Sequence, residues 1–413
     1  MDSVAAAQAS RYDDVWLVAA ARTPFADYNS MLRDVSPTDL GIFAARALFE
    51  RSGLPAADVQ SVIAGNMAQS SFDAYFLPRH IGLYAGVPRA VPALLVHRLC
   101  GTGFETLLTA ADQIALGRAQ AVLCVGAESM SRNPVAAYTH RAGFRLGQVE
   151  FRDFLWEATL DTASGTSMGQ TAENLAQRYG ISRGEVDAFA AQSFARAVAA
   201  WDSGYFADEV AAVENAQWTL DGYAPRGLRL ADRQLRFERD EHVRPTSPET
   251  LAKLKPAFNG VQTGGNSSAI VDGAAAAFVA SGAYVRAHGL EPLARIAAGA
   301  VVGVPPEIMG IGPAPAIRAV LAKTGMAQRE IGRYEINEAF GAQYLAVERE
   351  LELDRERVNR HGGAIAIGHP LAVSGLRLTH TLARQLASDG EQFGVSSACA
   401  GGGQGVAILI ERA

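Results

Sequence analysis

Two cysteines and one histidine, each close to glycine residues, are the side chains of this sequence best suited to covalent chemistry. Cys100 lies in the segment HRLCGTGF (97–104), where a strand is expected to end and an amphipathic helix to begin. The free N–H groups and the positive dipole end of a helix N-terminus favour a thiolate, and such a cysteine can act as a nucleophile. The alternative is a buried structural cysteine at the start of a helix.

His369 and Cys399 occupy two further glycine-rich segments. His369 stands in GGAIAIGHP (362–370), between glycine and proline, where its position is fixed. Histidine is the usual base for activating a thiol, although a core histidine bonded to backbone is the alternative. Cys399 ends a predicted strand and enters the turn AGGGQG (400–405). The N–H groups of such a turn can stabilise an oxyanion; otherwise it is a hairpin that contains a buried cysteine.

A polar pair, Asn337 and Glu338, follows a third predicted strand at residues 334–336. The carboxyl end of a strand is where sites of α/β proteins form, but the pair could equally cap a helix. Cys124 lies within a continuously apolar strand and is expected to be a packing residue. The spacing of the cysteines predicts no zinc site, and no metal is expected. The sequence also contains neither a dinucleotide-binding motif nor a Walker loop.

Short apolar runs that alternate with amphipathic stretches predict an α/β protein. Strands are predicted at 15–20, 60–64, 121–126, 293–298, 334–336, 393–398 and 405–410, and helices at 37–49, 104–114, 169–179, 183–201 and around 317–321. A stripe of Leu371, Gly375, Leu378, Leu382 and Leu386 predicts a further helix. Asp58 precedes Cys100 by 42 residues and Glu330 precedes His369 by 39, so two similar halves indicate a duplication. Residues 130–255 between them predict an inserted segment that covers the site, or a surface elaboration.

The composition excludes several classes of protein. The chain has 413 residues, of which 49% are hydrophobic and 19% charged, with a net charge of −6 and three cysteines. These values argue against a disordered chain, a disulfide scaffold and a nucleic-acid partner. No apolar run reaches the length of about 20 residues that a membrane span needs. The first residues carry no recognisable signal or transit peptide, so the prediction is a cytoplasmic protein with reduced thiols.

In this order, the segments resemble the thiolase family, the acetyl-CoA acetyltransferases and 3-ketoacyl-CoA thiolases. Further matches over nearly the whole chain are AARTPF (20–25), GAESMS (126–131), MGQTAEN (168–174), KPAF (255–258), GNSS (265–268) and DGAA (272–275). The resemblance implies a duplicated, five-layered αβαβα fold with an inserted loop domain that binds coenzyme A. It divides the chain into a first half at 1–129 and 256–290, the loop domain at 130–255, and a second half at 291–413. Family members are homodimers or homotetramers.

The resemblance also implies a role for each site residue in a ping-pong acyl transfer of fatty-acid metabolism, such as β-oxidation. Cys100 accepts the acyl group, His369 activates it, and Cys399 moves the proton at the α-carbon of the acetyl group. Asn337 holds a water that completes one oxyanion hole, which it shares with His369, and the N–H groups of Cys100 and Gly401 form the other. No cofactor is expected to be tightly bound, since coenzyme A and acyl-CoA are substrates. Their predicted contacts are Ser268, Met168, Phe258, Phe340, Arg244 and Thr250.

Several positions depart from the family pattern. His97 and His361 replace common asparagines, Ala372 replaces a glycine, and Glu105 and Ser167 stand where Gln and His are more usual.

Two alternatives to a thiolase are a related ketoacyl-synthase-like condensing enzyme and a thiolase-like acyl-CoA binder without catalysis. Ketoacyl synthases pair one cysteine with two histidines, so the second cysteine, Cys399, and Asn337 favour a thiolase.

Overall fold

The computed structural model describes residues 7–413. The first part of the chain forms six strands and three helices before residue 129. The strands are β1 (Gln8–Arg11), β2 (Val15–Arg22), β3 (Ala26–Asp27), β4 (Ser61–Gly65), β5 (Ala93–Val96) and β6 (Ala121–Glu128). The helices are α1 (Pro37–Ser52), α2 (Leu77–Tyr84) and α3 (Thr102–Ala115). Every residue of β6 is buried, as its continuously apolar sequence predicts for a strand covered on both faces.

The next part of the chain contains only short strands, which pair two by two outside the main sheet. They are β7 (Val135–Ala136), β8 (Arg152–Asp153), β9 (Leu160–Asp161), β10 (Thr166–Ser167), β11 (Val213–Glu214), β12 (Ala216–Trp218), β13 (Arg226–Leu228) and β14 (Arg236–Phe237). Its helices are α4 (Phe154–Glu157), α5 (Met168–Tyr179), α6 (Arg183–Asp202) and α7 (Pro248–Leu251). Ser167 and Ser182 cap α5 and α6, because their hydroxyls accept hydrogen bonds from N–H groups of the first turn. The two long helices were predicted almost to the residue.

The last part of the chain repeats the pattern of strands and long helices. The strands are β15 (Val271–Ser281), β16 (Ala294–Gly303), β17 (Arg333–Ile336), β18 (Phe393–Ala400) and β19 (Gln404–Arg412). The helices are α8 (Gly282–Ala287), α9 (Pro313–Thr324), α10 (Gly341–Leu351), α11 (Ala364–Ile367) and α12 (Ser374–Asp389). Leu371 lies before α12, so its assignment to the helical stripe was wrong. The chain there turns at Pro370 and enters the helix three residues later than the stripe suggested.

The sheet order confirms the duplication. In the first half the order is β5-β4-β6-β15-β2, and in the second half it is β17-β18-β19-β16. Equivalent neighbours have the same direction: β6 and β15 are antiparallel, as are β18 and β19, whereas β4 and β6 are parallel, as are β17 and β18. The two halves join where β2 and β16 pair over two residues.

The helices form layers between and outside these sheets. Helices α3 and α12 pack against each other and lie between the two halves, while α1 and α2 cover the outer face of the first half and α9 that of the second. This is the predicted five-layered arrangement. Because α3 follows Cys100 and α12 follows His369, the two central helices determine where the predicted nucleophile and base lie.

Candidate active site

Cys100 lies in a tight turn between β5 and α3, as predicted. The turn Leu99–Gly101 starts at a leucine with φ of +48°, a conformation that bulky side chains rarely adopt. The hydroxyl of Thr102 accepts a hydrogen bond from the Arg98 N–H at 2.9 Å and donates one to the Leu99 carbonyl at 2.7 Å. These bonds hold the strained turn, which packs against β18 of the second half.

The charge state of Cys100 differs from the prediction. Although the residue is partly exposed, burial of its thiol raises the pKa to about 11, and only the backbone N–H groups of Gly401 and Cys100 itself oppose this shift. The buried carboxyl of Glu128 raises the pKa further. The expectation that the helix N-terminus would favour a thiolate was therefore wrong, because desolvation outweighs the dipole and the N–H groups. The thiol needs a base.

His369 is the predicted base. It is buried, and its Nδ1 lies 2.6 Å from the Ser374 hydroxyl, which in turn donates to the Pro370 carbonyl at 3.3 Å. This pattern assigns the proton of the neutral ring to Nδ1, so Nε2 carries a lone pair that can accept a proton or a hydrogen bond. Burial lowers the pKa of His369 to about 3, so the ring is neutral at physiological pH and can accept a proton. No imidazolium is available beforehand to stabilise a thiolate.

Asn337 adjoins the histidine at the carboxyl end of β17. Its Nδ2 lies 3.3 Å from Nε2 of His369, and its backbone N–H donates to the Ser397 carbonyl at 2.9 Å. The neighbouring Glu338 accepts hydrogen bonds from Ser193, Asn359 and the Ile365 N–H. A Cβ at Gly363 would overlap that carboxylate, which explains one glycine of the GGAIAIGHP segment. The carboxylate thereby fixes the strand end that carries Asn337.

Cys399 lies near the end of β18 and is fully buried. Burial raises the pKa of its thiol well above the usual value, and the neighbouring Cys100 thiol raises it further. The structure therefore brings together two thiols that are 299 residues apart in the sequence. The turn at Gly401–Gly403 follows at once, and a side chain at Gly401 would meet Leu99 at 3.2 Å.

The central helices α3 and α12 are in close backbone contact. A Cβ at Gly103 would lie 2.8 Å from the Gly375 N and 2.9 Å from the Ala372 carbonyl oxygen, and one at Gly375 would overlap the Phe104 N. The N-terminal turns of α3 and α12 thus pack glycine against backbone. Cys100 precedes one turn and His369 the other, so these two glycines set the separation of nucleophile and base.

Four of the six predicted coenzyme A contacts are associated with Cys399 or its neighbours. Met168 and Phe340 pack with Cys399, Met309 and Ala339 in one small apolar cluster. A Cβ at Gly169, next to Met168, would overlap the ring of Phe258, and the Ser268 N–H donates to the Ala339 carbonyl at 3.0 Å.

Arg244 and Thr250 are the other two residues predicted to bind coenzyme A. Their described contacts are with residues outside this cluster. The Arg244 guanidinium lies over the ring of Phe194 and donates to the His242 carbonyl, and the Thr250 N–H donates to the Ser247 hydroxyl. Both side chains are exposed. The structure does not bring them to the cysteines, and their contact with a nucleotide stays a prediction.

Sequence reasoning missed Glu128 as a site residue. Its buried carboxylate accepts hydrogen bonds from the Met67, Ala68 and Ala372 N–H groups and from Asn66, while burial raises its pKa to about 7. It joins the loop after β4 to the loop that follows His369. The available signal was the GAESMS segment, which places a carboxylate at the end of a wholly apolar strand.

The two histidines that depart from the family pattern have different surroundings. His361 stacks on Tyr205, with ring centroids 3.5 Å apart, and its Nδ1 lies 3.2 Å from the Gln385 amide. Burial lowers its pKa to about 4. His97 is exposed just beyond β5. The contacts of His361 are those of a packing residue.

Comparison with known proteins identifies the family. Residues 15–283 match the thiolase N-terminal domain, and residues 290–412 match the thiolase C-terminal domain. The human mitochondrial 3-ketoacyl-CoA thiolase is 44% identical over 401 residues, which cover 96% of this chain and 98% of that protein. An acetyl-CoA acetyltransferase of Pseudomonas aeruginosa is 41% identical over 97% of this chain and 99% of its own.

A solved structure agrees with both matches. The crystal structure of the human mitochondrial 3-ketoacyl-CoA thiolase in complex with CoA superposes with a TM-score of 0.91, covering 97% of this chain and 98% of that one. The chain belongs to the thiolase family, and its class is that of the acyl-CoA C-acyltransferases. The predicted fold and enzyme class are thereby confirmed. Among residues 7–413, no helix is both long and apolar enough to span a bilayer.

Proposed function

We propose that this thiolase cleaves 3-ketoacyl-CoA with coenzyme A, and in reverse condenses acyl-CoA with acetyl-CoA, through an acyl group on Cys100. The observation that carries the proposal is the convergence of the Cys100 and Cys399 thiols, with the His369–Asn337 pair completing the proposed site. Two carbonyl groups react in this chemistry, so two acid–base groups and two oxyanion sites are required.

In the first step, the neutral His369 takes the proton of the Cys100 thiol at Nε2. The sulfur then bonds to the 3-keto carbon, and the N–H groups of Cys100 and Gly401 stabilise the oxyanion. The support for this assignment is that both N–H groups already oppose the raised pKa of the Cys100 thiol. One such donor is typically worth about 10²–10³-fold in rate.

In the second step, the bond between C2 and C3 breaks and its electron pair forms the enolate of acetyl-CoA. Cys399 gives its proton to C2, which releases acetyl-CoA. The enolate oxygen is stabilised by the Nε2–H that His369 gained and by the Asn337 side chain. Complete burial of Cys399 supports its role, because a thiol whose pKa is strongly raised is protonated and ready to act as an acid.

In the third step, coenzyme A enters and its thiol proton passes to the Cys399 thiolate. The coenzyme A sulfur attacks the acyl group, and Cys100 leaves with the proton held by His369, which restores the starting enzyme. Met168, Phe258, Phe340 and Ser268 line the proposed pantetheine path, and Arg244 and Thr250 contact the proposed nucleotide end. The segment 130–255, together with 256–258, would cover this path as the predicted loop domain.

Intact-mass measurement after incubation with acetyl-CoA tests the proposal. The wild-type chain should gain one acetyl group on Cys100, and Cys100→Ala should gain none. Subsequent thiolysis of acetoacetyl-CoA and longer 3-ketoacyl-CoA substrates would separate a thiolase from a ketoacyl-synthase-like enzyme and would measure its chain-length preference. An unmodified wild-type protein under every acyl-CoA would leave the acyl-CoA binder as the explanation.

We further propose a homodimer or homotetramer. Strand β5 is at the end of the sheet, and its Leu94 is exposed. Phe72 and Tyr75, in the segment between β4 and α2, are 98% and 76% exposed. An uncovered strand edge beside exposed aromatic side chains is typical of an interface between subunits. Light scattering of wild type and of Phe72→Ser/Tyr75→Ser would measure the subunit number, and a monomeric wild type would contradict the proposal.

The proposed setting is β-oxidation or a related part of fatty-acid metabolism in a reducing compartment. The free thiols of Cys100 and Cys399 support this setting, since disulfides form in oxidising ones. The cytoplasm is the compartment predicted from the sequence, whereas several vertebrate relatives carry mitochondrial names. Fractionation of cells that express the tagged chain would distinguish the cytoplasm from the mitochondrial matrix.

A further inference from the structure

A chain of three polar side chains joins the turn before Cys100 to the glycine turn after Cys399. Nε of Arg98 donates to the Glu105 carboxylate at 2.6 Å, and its NH1 donates to Oε1 of Gln404 at 3.0 Å. Nε2 of Gln404 donates in turn to the Gly401 carbonyl at 3.4 Å. Arg98 precedes the nucleophile by two residues, and Gln404 is the first residue of β19, so the chain crosses from one half of the molecule to the other.

The chemistry of the Gln404 side chain fits both of its partners. Arginine can only donate and a carbonyl can only accept, so the bridging group must present an acceptor to one and a donor to the other. A primary amide does both at once. The contact with Arg98 fixes the orientation of the amide, because the reverse orientation would place its NH₂ group against the guanidinium.

The glycine turn requires such support. Gly402 and Gly403 have φ values of +73° and +81°, which glycine adopts readily. Because glycine also adopts many other backbone conformations, these two residues do not fix the turn by themselves. Gln404 pairs with Ala400 across the turn, and its side chain holds the carbonyl of Gly401. The backbone N–H of Gly401 faces the Cys100 thiol.

We propose that Arg98 and Gln404 are positioning residues, which hold the Gly401 N–H on the Cys100 thiol and so on the oxyanion that forms there. Glu105 secures Arg98, which gives a role to one of the departures from the family pattern. The proposal deepens the proposed function, because it rests on Gly401 as an oxyanion donor. Neither side chain is given a contact with substrate.

Alkylation of Cys100 by iodoacetamide over a range of pH tests the positioning without any need for turnover. Because the Gly401 N–H lowers the pKa of the thiol, its displacement in Gln404→Leu or Arg98→Met should move the rate profile to higher pH. Gln404→Glu is the sharper variant: it keeps a partner for Arg98 but offers no donor to the Gly401 carbonyl, so its profile should shift as well. Arg98→Lys, which keeps the charge, should restore part of the wild-type profile.

Acyl-enzyme formation from acetyl-CoA gives the second measurement. A displaced donor should slow acylation of Cys100 by about 10- to 100-fold with little change in KM, since misplacement by about 1 Å costs up to about 10²-fold. The effects of Arg98→Met and Gln404→Leu should be less than additive in the double variant, because both act through one chain. Gln392→Leu removes an exposed amide bonded to Glu411 at the far end of the same hairpin and serves as the matched control.

The outcomes separate the two proposals. If the wild type is acylated and the variants match it in rate and in alkylation profile at equal thermal stability, the positioning role is wrong. If the wild type is never acylated but the profiles shift as expected, the proposed function is wrong and the positioning of Gly401 is upheld. Equal loss of activity and of folding in every variant, with an unchanged alkylation profile in the folded fraction, would also overturn the inference.

Discussion

At the scale of single residues, the proton of Cys100 is the feature on which the chemistry depends. Its thiol is protonated in the free enzyme because burial raises its pKa to about 11, and His369 is neutral because burial lowers its pKa to about 3. In the proposed mechanism, proton transfer from Cys100 to His369 is therefore part of the reaction and does not precede it. Ser374 keeps the proton of the ring on Nδ1, so that Nε2 can receive the thiol proton.

A first prediction concerns the pH dependence of this thiol. Because its pKa is raised, only a small fraction is ionised at pH 7, and the rate of alkylation by iodoacetamide should increase about tenfold for each pH unit from 7 towards 10. Mass spectrometry of Cys100 peptides against time measures the rate. A rate that levels off near pH 7 would mean that a thiolate already exists, and would contradict the protonated resting state.

A second prediction concerns Cys399→Ala. The variant should still form acetyl-Cys100, because acylation uses His369 and the oxyanion donors only. Cleavage of acetoacetyl-CoA should fall by about 10³-fold, since removal of a positioned acid–base group typically costs about 10²–10⁴-fold. Intact mass and steady-state thiolysis measure the two halves of the reaction. Cys124→Ala, which removes a buried thiol outside the site, is the matched control, and normal turnover in Cys399→Ala would refute the proton-shuttle role.

At the scale of elements, two helices bring the nucleophile and the base together. Helices α3 and α12 follow the two functional turns, and they approach closely because Gly103 and Gly375 have no side chain. The duplication makes these helices equivalent, so the turn of Cys100 in one half corresponds to the turn of His369 in the other. The similar spacing of 42 and 39 residues in the sequence is the trace of that equivalence.

The third prediction tests this contact. Gly103→Ala should lower the free energy of unfolding by about 1–3 kcal/mol, because its Cβ would press on backbone that cannot move away alone. It should also reduce acylation of Cys100, since the separation from His369 changes. Urea unfolding and intact mass measure the two effects. Gly184→Ala, in α6 with open space around the site of its Cβ, is the control and should be neutral or stabilising by up to about 1 kcal/mol.

Strand β15 illustrates an element that the sequence did not reveal. Its run of alanines has low strand propensity and shows no alternation of apolar and polar residues. For these reasons, no strand was predicted at 271–281. It nevertheless pairs with β2 on one side and β6 on the other and is buried along nearly its whole length. Small side chains suit a central strand between two helical layers. At such a position, packing against the neighbouring strands and helices outweighs the low strand propensity of alanine.

At the scale of the whole molecule, a buried charged network connects distant parts of the chain. Arg22, at the end of β2, bonds Glu209 at 2.6 Å and Asp240 at 2.7 Å, and all three side chains are fully buried. Thr381 in α12 donates to Glu209 at 2.9 Å. The network therefore joins the first half, the segment 130–255 and the second half through buried ion pairs and a hydrogen bond.

The fourth prediction concerns this network. Arg22→Met leaves the buried Asp240 without its cation and Glu209 with only the longer contact to Arg384 at 3.7 Å, so the free energy of unfolding should fall by about 3–5 kcal/mol. Arg286→Met breaks an exposed pair with Asp14 and should cost less than about 1 kcal/mol. Chemical unfolding of both variants measures the difference. Equal small losses would show that the buried network contributes no more to stability than a surface pair.

The sequence by itself identified the family and supplied the candidate functional residues, whose roles stay predictions. Cysteine and histidine beside glycine turns, at strand ends and helix starts, are local features, and their order along the chain specifies a thiolase. Strand and helix positions were also predictable wherever one face or both faces are apolar, as in β6 and α6. These properties depend on neighbours within a few residues, so the linear sequence contains them.

Only the tertiary structure decided which of these residues meet and how they are charged. Cys100 and Cys399 are neighbours because the turn that carries Cys100 packs against β18, and Gln404 reaches Arg98 because the two halves fold together. The pKa of Cys100 is raised rather than lowered, since the amount of protein packed around a thiol outweighs the helix end beside it. Burial and proximity arise from segments hundreds of residues apart, and no local pattern records them.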